Sequence, residues 1–406
     1  MAIRPHLSSR NAQLSQLRTY IKMSHKKNAP SLGLRPHNLW GTLEAENDQT
    51  SAHSAASILS EPISNGTSKP KSNDKDQFWK AASVDMRYWK VYLDARPKYH
   101  TGNFYDLVLN YHRSHRSDSP SLPTVAHDIG TGPGQVAAIL ASHFKEVVAS
   151  DLNKTHLEVA EEFLKHDGKT NVTLLHAGAE DIGKHYGPYS ADFIAAAECM
   201  PLMNAPVAVS GWADLLRPNG TLAMWFYGRP AFAQSEDYDF QACNKIYDKL
   251  AARAFRPFYD VSGQRLVNVR KASETMVSWL DNIELDPKIW TDVRRWKWNP
   301  QLPMEFSDVE DLGWPRNHVK KIHPNEKVET MPDGDLWSET WNVEDWKTFL
   351  KVNLPDFSGE WDQGMQEMWQ DLQDQMGGAE TKRKVIWPVV CIVATRRSDR
   401  SAGFWA

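Results

Sequence analysis

The stretch Val125-Ala126-His127-Asp128-Ile129-Gly130-Thr131-Gly132-Pro133-Gly134-Gln135 decides the fold. It opens as a short apolar run of strand type, breaks at three alternating glycines, and continues into Val136 to Phe144, where apolar residues recur with helical period. A strand that ends in a glycine-rich turn and feeds a helix is the first unit of a nucleotide-binding α/β sheet. The absent Cβ lets a ligand approach the backbone and permits unusual dihedral angles. The spacing is not the dinucleotide fingerprint G-x-G-x-x-G, because Gln135 stands where its third glycine would be. Asp128, two places before the first glycine, suits a ligand with an ammonium group better than one with a pyrophosphate.

Working outward, short apolar runs recur at Val147-Val148-Ala149, Val172-Thr173-Leu174-Leu175, Phe193-Ile194-Ala195 and Thr221-Leu222-Ala223-Met224-Trp225-Phe226. Helical stretches separate them, and the one from Thr155 to Leu164 opens on the capping-box pattern Thr155-x-x-Glu158. Strands alternating with helices predict a doubly wound, mostly parallel α/β sheet. Pro218-Asn219-Gly220 reads as the turn into the fifth strand. Val389 to Ala394, preceded by Pro388, reads as a last, antiparallel strand supplied by the C-terminus. Residues from about 229 to 384 are then a cap insertion, helical and irregular. Eleven of the 17 tryptophans lie between Trp279 and Trp387, as packing for that cap or as an aromatic acceptor pocket.

Charged residues make up 24% of the 406-residue chain and the formal net charge is −4. No stripe of Lys and Arg marks its body, which argues against a nucleic-acid partner. Cys199, Cys243 and Cys391 lie too far apart for a CxxC pair or a zinc-ligand spacing, so no metal is expected. No apolar run approaches the roughly 18 residues of a membrane span. Residues 1–76 are rich in Ser, Asn, Lys and His and read as a disordered leader. Arg4, Arg10, Arg18, Lys22, Lys26 and Lys27 precede the first acidic residue, Glu44, and Leu7, Leu14, Leu17 and Ile21 can share a helical face. That pattern also fits a mitochondrial targeting segment, the alternative to a cytoplasmic protein. The folded domain is expected over 77–397, with a tail at 398–406.

Two further segments follow the glycine loop in register. The second strand ends in Asp151, 23 positions after Asp128 and followed by Leu152, where a carboxylate can accept both hydroxyls of a ribose. After the third strand, Gly178-Ala179-Glu180-Asp181 stands where an adenine edge would be read by the Ala179 amide and the Glu180 side chain.

With these three segments in order, the chain resembles the class I S-adenosyl-L-methionine (SAM) dependent methyltransferases from about Phe78 to Arg397, and thereby a Rossmann-like fold. Within them it looks most like the trans-aconitate methyltransferase group and its relatives in fungal small-molecule metabolism. Tyr92-x-x-x-Arg96-Pro97-x-Tyr99 carries that narrower likeness, which implies that Arg96 pairs with the methionine carboxylate and Tyr92 helps close the site. The cofactor-binding set so implied is Tyr92, Arg96, Asp128, Gly130, Thr131, Gly132, Gly134, Asp151, Leu152, Ala179 and Glu180. One departure matters: where the group carries His-Trp after the fourth strand, this chain has Glu198-Cys199-Met200-Pro201-Leu202-Met203. Glu198 is open to three readings, a cofactor contact, an acceptor-site base or a strand-end carboxylate.

The resemblance implies O-methylation of a small-molecule carboxylic acid by in-line displacement at the sulfonium methyl, in a monomer or homodimer. An ionised carboxylate needs no general base, whereas a phenol or alcohol does. Arg256, Arg294, Arg295 and Lys297 are cations that could hold a polyacid, and no catalytic residue is assigned. The competing readings are a methyltransferase for a phenolic, amine or polyketide-carbon acceptor, and a catalytically silent regulator with the same fold.

Overall fold

The computed structural model describes residues 86–97, 102–116, 124–308, 310, 313–332, 335–354 and 360–398. The expected leader and the tail beyond residue 398 lie outside them. Two helices come first, α1 (Met86–Asp94) and α2 (Gly102–His115). The alternating units follow: β1 (Val125–Ile129), α3 (Gln135–Leu140), β2 (Glu146–Asp151), α4 (Lys154–His166), β3 (Val172–His176), β4 (Ala191–Ala197), α5 (Ala205–Leu215) and β5 (Leu216–Tyr227). Single-turn helices at Ala179–Lys184 and Met200–Leu202 follow β3 and β4.

Strands β1 to β5 pair in parallel in the order β3-β2-β1-β4-β5, the doubly wound sheet expected. Every residue of β4 is buried, as a strand covered on both faces requires. The order reverses between β1 and β4, so a crevice opens at the carboxyl ends of these two strands. The helix after β2 starts differently from the capping-box reading. Asn153 is the N-cap and its side chain accepts from the Thr155 amide at 2.9 Å, so Thr155 sits inside the first turn. Pro218-Asn219-Gly220 forms an irregularity within β5, where the pairing with β4 shifts and Asn219 takes φ +66°.

The largest difference from expectation is in the segment read as a cap. Its remaining elements are β6 (Ala231–Phe232), α6 (Phe240–Tyr259), α7 (Gly263–Val277), β7 (Trp290–Trp298), β8 (Lys327–Thr330), β9 (Ser338–Trp341), α8 (Val343–Val352), α9 (Gln363–Met376) and β10 (Arg383–Ile386). The C-terminal strand β11 (Val389–Arg396) pairs antiparallel with β5, as expected, but its other side pairs antiparallel with β7. The main sheet therefore has eight strands, ending β5-β11-β7-β8, and the Arg-Arg-Trp-Lys-Trp run is an interior strand of it. What remains as a cap is a second sheet, β6-β10-β9, with its surrounding helices.

Most of the tryptophans fill this cap and its junction with the main sheet. Trp346, fully buried, stacks on Phe232 with ring centroids 4.3 Å apart, lies 4.3 Å from Tyr247 and meets Trp341 edge-on at 5.2 Å. Trp387, Trp337 and Trp298 continue the cluster to Phe104 on α2. Wide rigid rings let this segment bury a large apolar area between its short strands and helices. Helix α1 spans two regions: Trp89 and Tyr92 pack on α4 near Val159, and the Tyr88 hydroxyl donates to the Val352 carbonyl of α8 at 3.3 Å.

Candidate cofactor site

The three glycines of the β1 loop all have positive φ, +70° at Gly130, +54° at Gly132 and +89° at Gly134. Their surroundings separate their jobs. A Cβ on Gly130 would lie 2.9 Å from the Cys199 Cβ, one on Gly134 would lie 3.2 Å from the Ala160 Cβ of α4, and one on Gly132 meets nothing within 4 Å. Packing demands the outer two. Gly132 is demanded by its left-handed conformation, and it faces the open space into which a ligand can come. The loop is pinned internally by the Thr131 amide donating to the Ser150 carbonyl at 2.9 Å and the Gly134 amide to the Thr131 carbonyl at 3.0 Å.

Asp151 ties that loop to the end of β2. Its Oδ2 accepts from the Gly132 amide at 2.9 Å and its Oδ1 from the Asn153 amide at 2.8 Å, with His156 Nδ1 3.4 Å from Oδ1. Each carboxylate oxygen keeps capacity for another donor, so a diol can still be accepted. Asp128 is buried below the loop, and its Oδ2 accepts from the Thr131 hydroxyl at 2.6 Å. Burial pushes its pKa up to about 7, against the pull of that hydroxyl.

Leu152 is 62% exposed, unusual for a leucine at a strand end. It gathers with the Glu180 carboxylate around Gly178: a Cβ there would lie 3.7 Å from Glu180 Oε2 and 3.8 Å from Leu152 Cδ1. An apolar face beside an acidic acceptor fits the plane and edge of an adenine. Glu180 Oε1 is already engaged, accepting from the Asn204 amide at 2.6 Å, and the Ala179 carbonyl accepts from the Trp212 indole at 2.9 Å.

The guanidinium of Arg96 lies 4.0 Å from the Tyr92 ring centroid and 5.8 Å from that of Tyr227. Its Nη2 donates to Asn353 Oδ1 at 2.8 Å, joining the end of α1 to the end of α8. Glu198, just beyond β4, has φ +59°; its amide donates to the Trp225 carbonyl at 2.9 Å and its Oε1 accepts from the Tyr227 amide at 2.8 Å. Burial raises the Glu198 pKa well above the usual carboxylate range, and the nearby Arg96 charge opposes this. The Cys199 thiol donates to the Ile129 carbonyl at 3.3 Å and is raised by burial and then by Asp128, Asp151 and Glu198, which places three carboxylates around one point.

All eleven expected binding residues thus stand on the carboxyl-end loops of β1, β2 and β3 or on the segment ending at Arg96. Sequence reasoning passed over His156, Trp89, Tyr227, Asn353 and Arg229. Tyr227 and Arg229 carried a signal in their position at the end of β5; Asn353 carried none, since it meets Arg96 from 257 positions away. The polyacid cations do not form a site. Arg256 is paired with Asp260 at 3.1 Å, Arg294 with Asp292 at 2.9 Å and Lys297 with Asp281 at 2.7 Å. Arg295 is fully buried, with Glu326 at 2.6 Å and the carbonyls of Leu280 and Ile283 at 3.0 and 2.8 Å. The contacts of Arg295 and Lys297 hold β7 to its neighbours. Among the described residues there is no group of three or more His, Cys, Asp or Glu able to hold a metal ion, and no helix is long and apolar enough to cross a membrane.

Residues 126–220 match a family model described as a methyltransferase domain. The chain is 39% identical over 331 residues to methyltransferase pgmE of Aspergillus terreus, covering 80% of this chain and 98% of that protein. It is 35% identical over 322 residues to methyltransferase ptaI of Pestalotiopsis fici, covering 76% and 93%. Among solved structures it matches Haemonchus contortus phosphoethanolamine N-methyltransferase 2 in complex with S-adenosyl-L-methionine, at 15% identity and a TM-score of 0.35, over 78% of this chain and 58% of that one. With these relatives, a loop open at Gly132, a carboxylate at the end of β2 and the buried Asp128 beneath the loop, the chain belongs to the class I S-adenosylmethionine-dependent methyltransferases.

Proposed function

We propose that the acceptor is a small molecule bearing a carboxylate, methylated on oxygen, and that Arg229 holds it. The observation that carries this reading is the state of Arg229. It is 5% exposed; its Nη2 lies 3.1 Å from Asp248 Oδ1, while its Nη1 is buried with no hydrogen-bond partner. Buried guanidinium donors are nearly always satisfied, so an unfilled one just past the end of β5 asks for an anionic oxygen. Arg229 follows β5 by two residues, and Tyr227 at the end of that strand donates its amide to Glu198. It takes over the part that the sequence offered to Arg256, Arg294, Arg295 and Lys297.

When bound, SAM supplies a methyl group already activated on a sulfonium. This chain's residues do the holding. Asp151 accepts the ribose diol, Leu152, Ala179 and Glu180 seat the adenine, Arg96 with Tyr92 takes the methionine carboxylate, and Asp128, Thr131 and the Gly130-Gly132-Gly134 loop enclose the amino end. Arg229 aligns the acceptor carboxylate, which is ionised at neutral pH and needs no proton removed. The acceptor oxygen forms its bond to the methyl carbon as the carbon–sulfur bond breaks and its electron pair stays on sulfur, giving a methyl ester and S-adenosylhomocysteine.

The test is incubation of the full chain and SAM with a panel of aromatic and aliphatic carboxylic acids beside phenols and amines, read by mass spectrometry. Methyl esters are expected, with Arg229→Gln raising the KM for the acid at least about tenfold, the weight of one lost charged hydrogen bond, and leaving the SAM Kd unchanged. Methylated phenols or amines with no ester, at a rate indifferent to Arg229→Gln, would overturn the acceptor assignment and leave the cofactor site untouched.

A further inference from the structure

We infer that Glu198 is the anion facing the sulfonium end of the cofactor, and that it makes the site prefer SAM over its demethylated product; the inference rests on the SAM reading of the β1 loop.

Its position comes first. Residue 198 leaves β4 beside β1, on the crevice where the strand order reverses, and its neighbour Cys199 packs so close to Gly130 that a Cβ there would lie 2.9 Å from the cysteine's. The start of the glycine loop and the end of β4 are therefore one unit. A left-handed φ of +59° is rare outside glycine and persists only when the surroundings impose it. Here two bonds to β5 impose it, from the Glu198 amide to the Trp225 carbonyl and from the Tyr227 amide to Oε1. They fix the carboxylate while using one of its oxygens; among the described residues, Oε2 makes no hydrogen bond.

The charges divide the site into two sides. Asp128 and Asp151 are engaged on the β1–β2 side, by the Thr131 hydroxyl and by the Gly132 and Asn153 amides. Glu198 stands on the β4–β5 side with Tyr227, two residues before Arg229. The charged and titratable groups that act on it are Arg96, just past α1, Tyr92 on α1 and its own neighbour Cys199; Asp128 from β1 and Asp151 from β2 reach that same Cys199 thiol. Three acidic groups share the crevice with one guanidinium, so the empty site calls for added positive charge. A cofactor whose sulfur carries a charge supplies it, and one whose sulfur is neutral does not. SAM and S-adenosylhomocysteine share the amino, carboxylate, ribose and adenine groups, so the difference between them reports on the sulfonium alone. A site built in this way releases its product more readily than its substrate.

Calorimetric titration of the full chain with SAM and with S-adenosylhomocysteine tests this. In Glu198→Gln the SAM Kd is expected to rise about tenfold or more, as for a lost ionic partner, while the S-adenosylhomocysteine Kd moves less than about threefold. Glu198→Asp, which keeps the charge, is expected to restore most of the preference. Equal weakening of both ligands would mean a merely structural role and would overturn the inference. The wild type alone also decides: S-adenosylhomocysteine bound as tightly as SAM overturns the inference even if Glu198→Gln does not fold. A wild type that binds neither ligand removes the cofactor reading and this inference with it, whereas binding with an unchanged preference in Glu198→Gln removes the inference alone.

Discussion

Replacing Asp151 by asparagine tests the loop geometry more sharply than truncation does. Both carboxylate oxygens accept backbone N–H groups, Oδ2 from Gly132 at 2.9 Å and Oδ1 from Asn153 at 2.8 Å. An asparagine amide has one oxygen and one NH2, so whichever way it turns, its NH2 meets an N–H donor and one backbone amide loses its acceptor. Breaking a hydrogen bond to a charged group costs about 1.5–3 kcal/mol. Part of that falls on the protein itself, as the glycine loop loses its tie to β2, and part on the ligand, whose ribose hydroxyls meet a neutral amide instead of a carboxylate. The expected SAM Kd is about 10- to 150-fold weaker at 1.4 kcal/mol per decade. Urea unfolding should show a lower midpoint with an unchanged slope, since the surface exposed on unfolding is the same. Asp151→Ala, which removes the clashing NH2 together with the acceptors, should bind SAM no better than Asp151→Asn. A folded Asp151→Asn with wild-type SAM affinity would place the ribose elsewhere and refute the reasoning.

Gly132→Val puts a β-branched side chain at φ +54° and into the open space before the loop; the protein should lose about 1–3 kcal/mol of stability to strain and all measurable SAM binding, and a variant that melts low but still binds SAM would show that the cofactor does not approach there. Asp128, raised from 3.8 to about 7 by burial, makes two opposite pH dependences. Its contribution to the stability of the empty protein is present below pH 4 and lost as pH rises through about 7, whereas SAM, binding the ionised form, should tighten by up to about tenfold between pH 6 and 8, with Asp128→Asn flattening both curves. Trp346→Ala removes a buried ring stacked on Phe232 and packed against Tyr247 and should cost about 3–5 kcal/mol in chemical denaturation, while a loss below about 1 kcal/mol would mean that the cap does not unfold with the main sheet.

What could be read from the chain and what could not follow the range of the interactions. The β1 loop, Asp151 and the Gly178-Ala179-Glu180 turn are each local: a strand end, a turn and a helix start within a dozen residues, whose periodicity and glycine spacing are printed in the sequence. Strand β7 was hidden because its partner β11 comes nearly a hundred residues later, and Arg294-Arg295-Trp296-Lys297-Trp298 lacks the apolar run by which the other interior strands announce themselves. Its charges are tolerated in the sheet because Asp281 and Glu326 meet Lys297 and Arg295, and those partners too are distant in sequence. The same holds at the site. The acid at position 198 was visible, but that it shares its neighbourhood with Arg96, and that Tyr227 holds one of its oxygens, depends on β4, β5 and α1 converging. The nucleotide-binding motifs are a property of consecutive residues, and the surroundings of Arg96, Glu198 and Arg229 a property of the assembled chain. Relatives can therefore diverge through exchanges at Glu198, Arg229 or Asn353 that leave every nucleotide-binding motif unchanged.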